Sequence, residues 1–162
     1  MSERIVNPEV LDKISTKEPV VALESTIITH GMPYPHNFQL AKAVEDEVRA
    51  NGATPATIAV LDGNLHIVLT PQQLQRLAVT EAAMKISRAD LAIAMVKGAT
   101  GGTTVASTMI AASLAGISVF STGGIGGVHR GAELSFDVSA DLSELAQTSI
   151  TVVAAGPKAI LD

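Results

Sequence analysis

The sequence contains no cysteine and no tryptophan, and its aromatic residues amount to one tyrosine and three phenylalanines. Without thiols there is no disulfide framework, thiolate nucleophile or cysteine-based zinc site. So few rings leave no stacking platform for single-stranded nucleic acid. Positive charge is also short: 11 Lys and Arg face 16 Asp and Glu, a formal net charge of −5. A polymeric nucleic acid is therefore excluded as partner, because its backbone is held by many basic contacts. A small anion needs only a few donors and stays open. No uninterrupted apolar run reaches membrane-spanning length, and Met1-Ser2-Glu3-Arg4-Ile5-Val6 lacks the charged-then-apolar order of a signal peptide. The expectation is a soluble cytoplasmic protein with no membrane partner.

What the chain does have is aliphatic bulk. Apolar residues make up 47% and charged residues 17%, which points to a packed interior of Val, Ile, Leu, Ala and Met. Parallel sheets covered by helices have such interiors. A length of 162 residues suits one α/β domain spanning residues 1–162.

Element by element, Asn7-Pro8 starts a short helix, and Pro19 to Ile28 is a buried strand interrupted by Glu24, Ser25 and Thr26. Thr29 to His36 is a shaped loop. Asn37 caps a helix closed by Asn51-Gly52, and Asp62-Gly63-Asn64 joins two strands, Thr57 to Leu61 and Leu65 to Leu69, as a hairpin. Thr70-Pro71 opens a helix, and Ser87-Arg88-Ala89-Asp90 fits a capping box before Leu91. Gly98 to Gly102 is loop, Thr104 to Ala115 helix, Ile117 to Ser121 strand, and Ser149 to Ala155 the last strand. Strands alternating with helices make a three-layer α/β/α sandwich with a mixed, largely parallel sheet. Ala159-Ile160-Leu161-Asp162 begins another helix, so the domain is expected to be the N-terminal portion of a longer fold, incomplete without a C-terminal half.

Lys158 follows the last strand and a Gly-Pro turn, where α/β sheets present reactive groups. A lysine attacks a carbonyl only as the neutral amine; on position alone, Lys158 reads first as an ordinary exposed lysine starting a helix. Glu24 lies in an apolar strand, where a carboxyl tends to a raised pKa suited to acid–base work, or else forms a buried ion pair or reaches solvent at the strand end. Gly123 to Gly131 is glycine-rich enough for backbone N–H groups to approach an anion, yet matches neither a dinucleotide fingerprint nor a Walker A loop. Thr103-Thr104-Val105 opens a helix whose N-terminus can receive phosphate. Such loops are otherwise plain tight turns. His129, Glu133, Asp137 and Asp141 recur every four residues, but the surrounding glycines make the recurrence accidental. Asp137 is a hard oxygen ligand suited to magnesium or manganese, and Asp141 reads as a helix N-cap.

Six blocks in order carry a resemblance: Val21-Ala22-Leu23-Glu24-Ser25-Thr26-Ile27, Thr29-His30-Gly31-Met32-Pro33, Thr103 to Thr108, Thr122 to Gly131, Asp137 to Leu142, and Gly156-Pro157-Lys158-Ala159-Ile160-Leu161-Asp162. They resemble the pseudouridine-5′-phosphate glycosidases, the group also called indigoidine synthase A-like. The resemblance runs from about Pro19 to the last residue and spans about half of a typical member. It implies a C-glycosidase of lyase type, splitting the C–C glycosidic bond of pseudouridine 5′-phosphate into uracil and ribose 5-phosphate.

Residue by residue, the resemblance implies Lys158 as nucleophile forming an imine-type adduct and Glu24 as proton donor. It places Lys85 on the substrate phosphate with Thr104 and the backbone of Val105 beside it, Ser139, Ala140 and Asp141 in the substrate-binding run, and His129 in the site with no assigned role. Asp137 matches a manganese ligand, one divalent ion per subunit, with no organic cofactor and a homotrimeric assembly. Two positions depart: Pro157 stands where a small or β-branched residue is expected, and Thr29 replaces a more usual serine. A lysine-imine enzyme with another substrate, and a truncated, catalytically incompetent chain that associates with full-length subunits, are the competing expectations.

Overall fold

A computed structural model of the chain describes residues 3–158. Its organising element is β3 (Thr54–Leu61), buried from Pro55 onward. Alternate side chains of a strand face opposite ways. Ala56, Ile58 and Val60 accordingly join one hydrophobic cluster, while Ala59 and Leu61 join another. The first cluster includes Val10 of α1 (Pro8–Ser15), Ala94 of α4 (Leu91–Val96) and Val105, Met109 and Ala112 of α5 (Val105–Ala115). The second takes Ala41 from α2 (His36–Ala50) and Leu74, Leu77 and Ala78 from α3 (Pro71–Ala78). Helices thus cover both faces of the sheet, as the three-layer reading requires. Each fully buried Leu or Ile contributes about 1.5–3 kcal/mol.

The main sheet path runs β1 (Arg4–Val6), β4 (Asn64–Ile67), β3, β2 (Val20–Leu23), β7 (Val119–Thr122) and β8 (Thr151–Ala154). Off it, β5 (Met84–Ile86) pairs with β6 (Gly101–Thr103), which also pairs with β3. Pairings are antiparallel at β3–β4 and β3–β6 and parallel at β1–β4, β2–β3, β2–β7, β5–β6 and β7–β8. The sheet is mixed and mostly parallel.

β3 is longer than β2, and this difference creates the site. β2 accompanies β3 only as far as Leu23 opposite Thr57; β6 then takes over opposite Ala59 and Val60. The chain leaving β2 must therefore turn away, and it does so as one π-helical turn, Ile27–Gly31. Hydroxyls close the seam. Ser25 Oγ donates to the Ile58 carbonyl at 2.6 Å and accepts from Thr103 N–H at 2.9 Å, and Thr103 Oγ1 donates to the same carbonyl at 2.8 Å. Thr108 Oγ1 donates to Thr103 Oγ1 at 2.8 Å. Buried hydroxyls need such partners.

Several sequence expectations hold. Asp62 and Gly63, with φ of 49° and 76°, form the two-residue hairpin turn, and Thr70 and Gln73 make a full capping box on α3. Others are corrected. Asn37 is not a cap: it lies inside α2, 4% exposed, and its amide donates to the carbonyls of Ile28 (2.7 Å) and Ala78 (2.8 Å). The Ser87–Asp90 box is half formed, since Asp90 Oδ2 accepts from Ser87 N–H at 3.0 Å but Asp90 N–H donates to the Ser87 carbonyl. Part of the Gly98–Gly102 loop is β6, because Gly101 and Gly102 fill a pairing slot left open beside β3. The four-residue recurrence after His129 is indeed no helix face. One turn, α6 (Ala132–Ser135), sits between two loop segments joined by a single bridge at Val128 and Val138. The helix expected at 159–162 lies outside the described residues.

Candidate active site

Three parallel strands deliver chemistry at their carboxyl ends, the place where open α/β sheets hold ligands. Glu24 follows β2, Thr122 ends β7, and Lys158 follows β8. Lys85 arrives from β5, which with β6 occupies the space beyond the end of β2. Glu24, Thr122, Lys85 and Lys158 line one cavity of about 620 Å³. Its opposite wall is apolar, made by Ile27 and Ile28 of the π turn and Leu40, Ala41 and Val44 of α2.

Glu24 is partly buried, and desolvation raises its carboxyl above the usual glutamate range. Three groups pull the other way: the hydroxyl of Thr122, which donates to Oε1, and the charges of Lys158 and Lys85. The nearby Asp141 adds to the rise. A carboxyl whose pKa is raised is better suited to donate a proton than an ordinary glutamate.

Lys158 is exposed and is placed by its backbone, whose N–H donates to the Ile125 carbonyl at 3.0 Å. Ile125 N–H in turn donates to the Gly156 carbonyl at 3.1 Å, and Ile125 bridges Pro157. The glycine-rich loop is thereby laced to the segment bearing the lysine. Pro157, lacking an N–H, sits between these two bonds without costing either.

Asp141 has a different place from the one the sequence suggests. The N-cap of α7 (Ala140–Leu145) is Ser139, whose Oγ accepts from Asp141 N–H at 3.2 Å. Asp141 itself is 4% exposed. Its Oδ1 accepts from Ala106 N–H at 2.9 Å and its Oδ2 from Gly126 N–H at 2.8 Å. The first turn of α5 therefore already holds an anion, this chain's own carboxylate, at one of the N–H groups that the sequence offers to phosphate. Gly126 has no room for a side chain, since a Cβ there would meet Ser139 Oγ and lie 2.8 Å from Asp141 Oδ2.

The structure unites Glu24, Lys85 and Lys158. Thr104 and Val105 are buried at the start of α5, with Thr104 N–H donating to the carbonyl of Ile86, next to Lys85. Ser139 and Ala140 stand beside the glycine-rich loop, Ser139 N–H donating to Gly127 at 2.9 Å. His129 and Asp137 do not line the cavity. They face each other beside the Val128–Val138 bridge, Nδ1 3.9 Å from Oδ2, with the Asp137 side chain 63% exposed.

Among the described residues no three His, Asp or Glu side chains gather as a metal cage. One exposed carboxylate beside an imidazole suits only an ion that keeps most of its water, as magnesium and manganese do. Thr122 and His30, neither given a role by the sequence, also line the cavity. The strand-end position of Thr122 carried that signal; His30, in a Gly- and Pro-rich stretch, carried none.

The family described as indigoidine synthase A-like protein matches residues 9–162. The chain belongs to that family. It is 71% identical over 144 residues to the pseudouridine-5′-phosphate glycosidase of Roseobacter denitrificans, covering 89% of this chain and 46% of that protein. It is 63% identical to the protein of the same name from a Jannaschia species, covering 96% of this chain and 52% of the relative. The fold matches the crystal structure of a prealnumycin C-glycosynthase in complex with ribulose 5-phosphate, with TM-score 0.89, 42% identity, and coverage of 100% of this chain and 52% of that one. An indigoidine synthase A-like protein from Thermotoga maritima matches with TM-score 0.84 and 32% identity, over 99% of this chain and 51% of that one. The chain spans about half the length of the curated family members it matches. No helix among the described residues is long and apolar enough to cross a membrane.

Proposed function

We propose that the protein cleaves the carbon–carbon glycosidic bond of pseudouridine 5′-phosphate, releasing uracil and ribose 5-phosphate, through an imine on Lys158. The observation that carries the reading is the meeting of Glu24, Lys85 and Lys158, from three distant stretches of sequence, in one cavity. The names of the family members support the substrate, and the C-glycosynthase supports chemistry at a sugar–carbon bond.

The bond joins C1′ to C5 of uracil, so protonation of a leaving oxygen or nitrogen, the usual glycosidase route, is not available. Glu24 donates its proton to the ring oxygen as the C1′–O4′ bond breaks, with electrons drawn from the pyrimidine ring. The neutral amine of Lys158 adds to C1′, which is then conjugated to the pyrimidine carbonyls. The added nitrogen gives one proton to the Glu24 carboxylate, and its lone pair then forms the C1′–N double bond as the C1′–C5 bond breaks. Its electrons return to the pyrimidine and C5 takes a proton. Water hydrolyses the imine. Lys85 binds the phosphate, orienting the sugar from a distance. Ser139, Ala140, Asp141, Thr104 and the Val105 backbone complete the substrate-binding run in this reading, with His129 at its margin.

Asp137, with His129 beside it, would hold a manganese ion, one per subunit. When bound, such an ion supplies positive charge and ligated water. A homotrimer is the assembly proposed. The test is to incubate the intact protein and manganese with pseudouridine 5′-phosphate and follow uracil. Uracil release supports the reading; no release, with turnover of another C-glycoside in a substrate panel, favours the second reading that the C-glycosynthase motivates, a different aglycone on the same lysine.

A further inference from the structure

Thr122 is 8% exposed, lines the cavity, and ends β7 beside Glu24. A hydroxyl has one proton to give. Two acceptors compete for it: Glu24 Oε1, in a short contact, and the Gly124 carbonyl at 3.4 Å. The nearer carboxylate takes it. The lone pairs of the same oxygen accept from Gly124 N–H at 3.3 Å. A directed chain results, running from the glycine-rich loop through Thr122 to Glu24. That loop also carries the main-chain anchor of Lys158.

We propose that Thr122 is the positioning residue of Glu24, holding its carboxyl toward the cavity in register with the loop that anchors Lys158. The proposal rests on the reading of Glu24 as proton donor. Without the hydroxyl, Glu24 would keep the other groups that face it, Lys158 beyond β8, Lys85 on β5 and Asp141 on α7, but would lose its one hydrogen bond to a side chain of the sheet. Thr122→Val removes the hydroxyl and keeps the shape, while Thr122→Ser keeps the hydroxyl.

The experiment uses the intact protein with glutamates labelled at the side-chain carboxyl carbon. The Glu24 resonance is assigned by its loss in Glu24→Gln and titrated in each variant, and uracil release from pseudouridine 5′-phosphate is measured in parallel. Thr122→Val is expected to move the Glu24 midpoint upward by about one pH unit, since a hydrogen bond favouring the carboxylate is gone, and, because the carboxyl is no longer held in place, to lower kcat about tenfold even where Glu24 is protonated, with KM nearly unchanged. Thr122→Ser is expected to restore both. An unchanged Glu24 midpoint in Thr122→Val, or a serine variant as impaired as the valine one, overturns the proposal. Should the valine variant not fold, Thr122→Ala is read in its place with the same outcomes. If the unaltered protein releases no uracil, the functional reading fails, while the resonance still decides whether Thr122 governs Glu24.

Discussion

Gly124 lies against the stem of Lys158, so closely that a Cβ on the glycine would sit 3.2 Å from Lys158 Cγ. The direction of the Lys158 stem is therefore set by backbone at two points, this contact and the bond from Lys158 N–H to the Ile125 carbonyl. Gly124→Ala should push the lysine stem aside without disturbing the core. The expected result is about a tenfold loss of kcat, since small misplacements of a reacting atom are expensive, with a melting temperature close to that of the unaltered protein. Loss of melting temperature in proportion to activity would point to loop collapse instead.

Glu24 ties activity to stability with opposite signs. Its carboxyl is raised by burial, so the folded state holds that proton more tightly than the unfolded chain does. The linked stability is present below the ordinary glutamate value and is lost as pH rises through the raised folded value. Glu24→Gln should thus melt higher than the unaltered protein at pH 7–8 and equal to it near pH 4, while releasing no uracil. As a donor, Glu24 must be protonated, so kcat/KM should fall as pH rises past the same raised value. Thermal melts across pH and a pH–rate profile check both; an acid limb in place of the basic one would make Glu24 a base.

Asp141 is a structural anion as well as a candidate substrate contact. Asp141→Ala leaves the N–H groups of Ala106 and Gly126 without their acceptor. Two charge-assisted bonds to buried donors predict a loss of about 3 kcal/mol in urea unfolding. Asp141→Asn, which can accept at one oxygen only, should fall between. A loss within experimental error would mean that water or a neighbouring group replaces the carboxylate.

Manganese binding should depend on Asp137 and leave the fold alone, because that side chain is exposed. Asp137→Asn is expected to weaken binding of the ion at least tenfold, consistent with the loss of a ligand where even supporting contacts are worth that much. Titration of the free-ion paramagnetic resonance signal measures it directly. Equal affinity in the variant would place the ion on other residues.

The layers of this fold were legible because they rest on local signals: the apolar run from Thr57 to Leu61, the turn at Asp62-Gly63-Asn64, and the helix start at Thr70-Pro71. β5 and β6 were not, since three residues such as Met84-Lys85-Ile86 have no period of their own, and Gly101-Gly102 looks like loop until β3 outruns β2. Asn37 looked like a cap because asparagine before an apolar run usually is one; its two carbonyl partners, at Ile28 and Ala78, are distant in sequence. In the site, Glu24 stood out as a carboxyl inside an apolar strand and Lys158 by its position after one. Lys85 entered only through the family resemblance, and the strand-end position of Thr122 took on a role once β7 was seen beside β2.

The proposed reaction passes through a carbon–nitrogen bond between Lys158 and the sugar. Borohydride added to the intact protein during turnover of pseudouridine 5′-phosphate should reduce that imine and leave a pentose phosphate mass on the peptide carrying Lys158, absent from Lys158→Arg. The same mass on Lys85, or on no lysine while uracil is still released, would contradict it.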